Sequence, residues 1–425
     1  MIAAFLTTVC LLCAPVRASV PVLTQNDPTT QLIGTELFVP AGLDRQSSSQ
    51  NGLAALVAEC IVQTPVALSS GQRIALRSMI AGEGGAISYA VGGHEVRFYL
   101  EGLSETYSAL LLPAFRRALS GPDFSVPALQ SARAALRERI AQSAADPLDV
   151  GMEMLGRTFY TNSNAGLPRY GTLAMQMQFN SDDARAFYAA HYRRDGAVVS
   201  AIGNLPALRP SDLRSLANAL SPGPSLAARV RTATLSGASR QLVAHRDLTV
   251  TWLVAQYRAP AITSRDFGAM LVLSAFFSRT LSEVAQIPSV STADLTRRSA
   301  GVIYNFGTRP ASVVFFVGGG LGDPARTFAA ALAVARVFKS ARLHGNIDDL
   351  KAGALGYFDG SANSLEERAR LAGTFTLLGA SPDYWGRASE AVSATTATDI
   401  QRVAKRYLVS PTVALILPRA APAPQ

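Results

Sequence analysis

The strongest constraint on this chain is a pattern that it carries twice. Residues 181–203 read as a capped helix running to Tyr192, a polar turn and a buried strand ending at Gly203. Residues 396–418 repeat that order, with a helix opened by Asp399, then Tyr407, a turn and a strand. A unit recurring near the end of each half points to duplication of a domain of roughly two hundred residues. A chain of 425 residues can bury two substantial cores, and its 48% apolar content supports folding throughout.

The interior of each half agrees with duplication. In the first, a strand pair around Gly84-Gly85 and Val96–Leu100 precedes helices near 104–119 and 127–145, with Asp146-Pro147 as a stop. In the second, strands near 248–256 and 302–317 flank a helix from Asp266, and helices follow near 325–343 and 346–358. Strands clustered apart from long helices mark an α+β fold, two homologous domains each with a mainly antiparallel sheet covered on one face by helices. The Pro, Gly and Ser density that begins at Ser221 is that of a linker, which sets domains at 27–222 and 240–420 with the linker at 223–239.

Several function classes drop out on composition. The formal net charge of +9 comes almost wholly from scattered arginines, lysine standing only at 339, 351 and 405, with no aromatic-interleaved basic patch. That excludes a recognisable nucleic-acid module and leaves an acidic partner as the weaker reading of the charge. Residues 2–14 form an apolar run too short to span a bilayer, followed by Val16-Arg17-Ala18, so residues 1–18 read as a signal peptide of a secreted or periplasmic protein. An uncleaved membrane anchor is the alternative. Cys10 and Cys13 would leave with the signal, and Cys60 sits in an apolar helical run, as a packing residue does. No Gly-x-Ser-x-Gly elbow is present, and Gly318–Gly322 lacks the Lys-Ser/Thr of a phosphate loop.

A resemblance becomes specific at Gly52-Leu53-Ala54-Ala55-Leu56-Val57-Ala58-Glu59. This segment resembles the helix that carries the inverted zinc motif H-x-x-E-H in the pitrilysin/insulinase-type metallopeptidases, where Gly-x-Ala directly precedes the first histidine. The likeness continues through Gly84-Gly85, Leu167-Pro168-Arg169-Tyr170-Gly171, the 187–203 segment and the second half, so it covers nearly the whole mature chain. In such a motif two histidines four apart pinch the ion from one helical face, and the glutamate between them activates the metal-bound water.

Here the two histidine positions hold Ala55 and Glu59, the base position holds Ala58, and the third-ligand position falls at Ala132. The four histidines, His94, His191, His245 and His344, show no ligand spacing with one another. The resemblance therefore implies a chain with no zinc and no catalytic residue of its own. Arg297 to Tyr304 is similar to the family's R-x-x-x-G-L-A-Y segment, which implies that Arg297 and Tyr304 bind substrate, the tyrosine beside the scissile carbonyl. The implied partners are a homologous zinc-bearing subunit and a peptide or unfolded-protein substrate. A pseudo-peptidase kept for assembly or peptide binding is the alternative. Whether an active two-chain enzyme results is left open at this point.

Overall fold

The computed structural model describes residues 20–225, 234–235, 240–285, 299–318, 329 and 347–419, apart from 69, 162 and 249. The leader expected at 1–18, Arg297, His344, the helix expected near 325–343 and most of the expected linker lie outside the described residues.

The duplication read from the sequence is visible in the order of the strands. The first sheet comprises β1 (Val22–Asn26), β2 (Leu32–Val39), β3 (Ala86–Val91), β4 (Val96–Leu103) and β5 (Val198–Gly203), arranged β1-β5-β2-β4-β3. The second comprises β6 (Arg240–Arg246), β7 (Trp252–Arg258), β8 (Ser299–Asn305), β9 (Ser312–Gly318) and β10 (Thr412–Pro418), arranged β6-β10-β7-β9-β8. Each sheet has one parallel pair, made when the last strand of a half inserts beside its first, and is otherwise antiparallel. Gly203 ends β5 at φ +127°, where a Cβ would lie 2.1 Å from the Leu32 carbonyl oxygen, so only glycine fits this crossing. β1 precedes residue 27, so the first sheet reaches beyond the range 27–222, and Ser221–Pro224, at the start of the expected linker, forms a short strand parallel to Arg193–Asp195.

The repeated unit folds as its sequence requires. In the first copy α4 (Ser181–His191) is capped by Asn180, whose Oδ1 accepts from Asp182 N (2.8 Å) and Asp183 N (3.0 Å). In the second, α7 (Ala397–Tyr407) is capped by Thr396, whose Oγ1 accepts from Asp399 N at 3.2 Å. Such caps satisfy amides that a helix start leaves without partners, each contributing about 1 kcal/mol.

Helices cover one face of each sheet, as expected. Against the first sheet lies α1 (Leu53–Gln63), buried along nearly its whole length, and beside it α2 (Val126–Ala145). Against the second lies α5 (Phe267–Ala285). The other faces are also covered, by an exchange of helices that the sequence reading did not contain. α3 (Pro147–Phe159), from the first half, lies on the second sheet, where Val150 and Leu155 pack with Val254, Val314, Ala414 and Ile416. α6 (Leu365–Leu377), from the second half, lies on the first sheet, with Gly373 against the ring of Phe38. Both crossings are close enough to need glycine: a Cβ on Gly151 would lie 2.6 Å from Val254 Cγ2, and one on Gly373 would lie 2.0 Å from Phe38 Cε2.

Asp146-Pro147 is thus a restart as much as a stop. The Asp146 carboxylate accepts from Leu148 N (2.7 Å) and Asp149 N (3.0 Å), and Pro147 opens α3. An ion pair from Arg368 to Asp27, 2.6 Å, also spans the halves. The hydrogen bond from Arg368 holds the Asp27 carboxyl at a pKa of about 2.

On β2, on the side of the first sheet that α6 covers, lies Glu36, 2% exposed. Arg97 Nη1 approaches its Oε1 at 3.4 Å, and its Oε2 has no hydrogen-bond partner among the described residues. Burial, only partly offset by Arg97, pushes the carboxyl up to about 8. An unfolded glutamate titrates near 4.3, so between about pH 4 and pH 8 the unfolded chain gives up a proton that the folded chain keeps. The contribution of Glu36 is therefore fully present below that unfolded value and lost as pH rises toward 8. Glu36→Gln should flatten the pH dependence of the melting temperature over this window and raise it at pH 9, with little change at pH 5. Parallel melting profiles for the two proteins would refute the assignment.

Candidate functional site

The first turn of α1 is fixed from outside the helix. Gln46 Oε1 accepts from both Gly52 N and Ala54 N at 3.0 Å, and Gln176 Nε2 donates to Gly52 O (3.1 Å) and Tyr170 O (2.7 Å). Asn51 Nδ2 donates to Pro168 O at 2.9 Å, which binds the Leu167–Gly171 segment to the start of the helix. Of the four positions singled out by the resemblance, Ala55, Ala58 and Glu59 lie on α1 and Ala132 on α2, two helices in contact, and each is 0% exposed.

Three of these four carry only a methyl group, which can neither ligate a metal nor accept a proton. The fourth is already engaged. Glu59 Oε1 accepts from Arg77 Nη1 and Gln63 Nε2, both at 2.7 Å, and Arg139 Nε stands 3.7 Å from Oε2. Burial alone would raise its pKa, but the hydrogen bond and charge of Arg77 outweigh burial and hold the carboxyl below its ordinary value. Arg139 also lies 4.6 Å over the Tyr89 ring. Two guanidinium groups thus supply the positive charge beside Glu59, and zinc does not fit: the pocket offers one donor, already ion-paired, and places cations where an ion would repel them. Among the described residues, no group of three His, Cys, Asp or Glu side chains is disposed to hold a metal.

Cys60, next on the helix, is buried, and burial pushes its thiol up to about 12, the opposite of an activated nucleophile.

Tyr304, expected to face substrate, sits on β8 with its ring against Phe267 and Phe306. It is 6% exposed, and its hydroxyl donates to the Pro260 carbonyl. Burial holds that hydroxyl well above its ordinary pKa. An oxyanion donor there would first have to leave this bond.

A cavity of about 690 Å³ opens between the halves. It is lined from the first half by Arg97, Asp149, Glu153 and Arg169, and from the second by Arg246, Arg309 and Arg370. At one side the halves are joined by His94, whose Nδ1 shares a hydrogen with Asp44 Oδ2 (2.8 Å) and whose Nε2 accepts from Arg309 N (3.2 Å). Burial would lower the His94 pKa, but the bond to Asp44 outweighs it and raises the value.

The sequence reading missed Arg77, Arg139 and the arginines of the cleft. Arg139 was within reach, because it follows Ala132 by two helical turns on one face of α2; Arg97 was too, because it alternates with the buried Val96 and Phe98 of β4.

The sequence matches no family model and no curated protein. Solved structures do match. A protease from Helicobacter pylori superposes with a TM-score of 0.76 at 15% identity, covering 94% of this chain and 97% of that one. The peptidase M16 inactive domain from Pseudomonas fluorescens gives 0.74 at 15% identity, covering 96% and 98%. A chain of Complex III2 from Candida albicans gives 0.72 at 13% identity, covering 93% of each. The chain is therefore built, over nearly its full length, on the two-domain fold of the M16-type peptidases.

Proposed function

We propose that this chain is a pseudo-peptidase that holds peptide in the cleft between its halves and works as the non-zinc subunit beside a homologous chain bearing H-x-x-E-H. The observation that carries this reading is the pairing of Glu59 with Arg77 on α1, in a chain that also holds a cleft between its halves. A hydrolytic centre has been replaced by a structural ion pair, and a binding volume remains. Export through residues 1–18 belongs to the same reading. Substrate contact by Arg297 stays part of it; Tyr304 carries less weight, because its hydroxyl is bonded in the core.

A second reading, a scaffold inside an assembly, is favoured by that buried tyrosine and draws on the occurrence of the fold in a chain of Complex III2. The test is purification of the tagged full chain from the cells that make it, with co-purifying chains identified by mass spectrometry and peptide hydrolysis assayed with and without a zinc chelator. A homologous H-x-x-E-H chain with chelator-sensitive hydrolysis supports the subunit reading. The protein alone, or with unrelated chains and no hydrolysis, overturns it in favour of the scaffold.

A further inference from the structure

The charge of the cleft is not balanced. Its lining contains five arginines, Arg97, Arg169, Arg246, Arg309 and Arg370, against three carboxylates, Glu95, Asp149 and Glu153. The carboxylates are largely engaged: Glu153 with Arg157 at 3.0 Å, Asp149 with the Ser143 hydroxyl at 3.0 Å, and Glu95 with Arg97 at 3.9 Å; Arg97 also approaches the buried Glu36, outside the cavity lining, at 3.4 Å. Among the described residues, none of the other four arginines has a carboxylate in ion-pair contact; Arg309 and Arg246 donate to the carbonyls of Leu377 and His245.

Arg97 and Arg370 come from opposite halves, one on β4 and one on α6, and both face the cavity. Burial, and next the charge of Arg97, lower the pKa of Arg370, outweighing the opposing charges of Glu36, Glu367 and Glu366. Burial likewise pushes Glu95 up, which weakens the negative side of the balance. A low-dielectric cleft focuses such an excess, and the guanidinium fork matches a carboxylate in two parallel hydrogen bonds.

We propose that the cleft selects acidic peptide, with Arg97 and Arg370 closing on one carboxylate from the two halves and Arg169, at the exposed rim, drawing in a second. The inference rests on the peptide-binding reading above and adds the substrate class to it.

The experiment is fluorescence anisotropy with three labelled twelve-residue peptides of matched length, one glutamate-rich, one lysine-rich and one of serine and glycine, added to the full mature chain at low and high salt. The glutamate-rich peptide should bind at least ten-fold tighter than the other two, and salt should erode that margin. Arg370→Gln should cut the margin at least three-fold. Arg169→Gln, a change at an exposed position that leaves the fold intact, should cut it by a smaller factor with an unchanged melting temperature. Equal or tighter binding of the neutral or lysine-rich peptide overturns this inference and leaves the peptide-binding reading standing. Absence of binding by all three peptides overturns that reading itself.

Discussion

Arg77→Ala costs about 3–5 kcal/mol of stability, whereas Glu59→Ala, at the other end of the same ion pair, costs about 1–2 kcal/mol. The asymmetry follows from where each charge is left. Removing Arg77 strands a carboxylate whose side chain is 0% exposed, with Gln63 and the more distant Arg139 left beside it. Removing Glu59 strands two guanidinium groups whose side chains are 35% and 29% exposed and can turn toward water. The double variant should be more stable than Arg77→Ala alone, because it removes the stranded charge. Denaturant melts of the four proteins decide the matter, and equal losses for the two single variants would show that Glu59 is not the buried partner it is taken to be. In Arg77→Ala the burial contribution to Glu59 is no longer outweighed, so its carboxyl should rise above the ordinary glutamate value.

Gly373→Leu is expected to cost about 3 kcal/mol or more and to loosen the two halves together. Its Cβ would enter the ring of Phe38, which is 1% exposed and cannot swing away from the contact. α6 would have to lift from the first sheet, and with it Arg370, three residues upstream on the same helix, would leave the cleft wall. Phe38→Ala alone should cost about 3–5 kcal/mol through the cavity it opens. Combined with Gly373→Leu it should cost less than the sum, because the leucine fills part of that space. Full additivity in equilibrium unfolding would contradict the described contact.

What was legible in the sequence was local and periodic. The two helix, turn and strand units at 181–203 and 396–418 carry their own caps and buried strands, so they could be found without a partner, and the matched sheet orders follow from them. The expectation at Ala55, Ala58, Glu59 and Ala132 rested on residue type alone: three are alanines without a ligand atom, and the fourth is a carboxylate whose ion pair with Arg77, eighteen residues on, no local pattern announced. The exchange of α3 and α6 could not, because it depends on which sheet a helix finds; the only trace was the glycines at 151 and 373, whose need for closeness is invisible until the facing Val254 and Phe38 are known. Asp146-Pro147 was read as a boundary and is one, but the same two residues also start α3. The resemblance assigned Tyr304 by spacing, and spacing does not say where a hydroxyl is bonded; alternation with Val302 packs its ring on the α5 side, while the residue also lines the cleft. The charge of the cleft was likewise hidden, since its arginines are spread from 97 to 370 and meet only in the fold.

The measurement that tests the central claim most directly is zinc binding by the purified protein, by equilibrium dialysis and metal analysis, with peptide hydrolysis followed in the same sample. Three methyl groups and an arginine-paired glutamate predict substoichiometric zinc and no chelator-sensitive hydrolysis; one zinc per chain accompanied by chelator-sensitive hydrolysis would contradict the account.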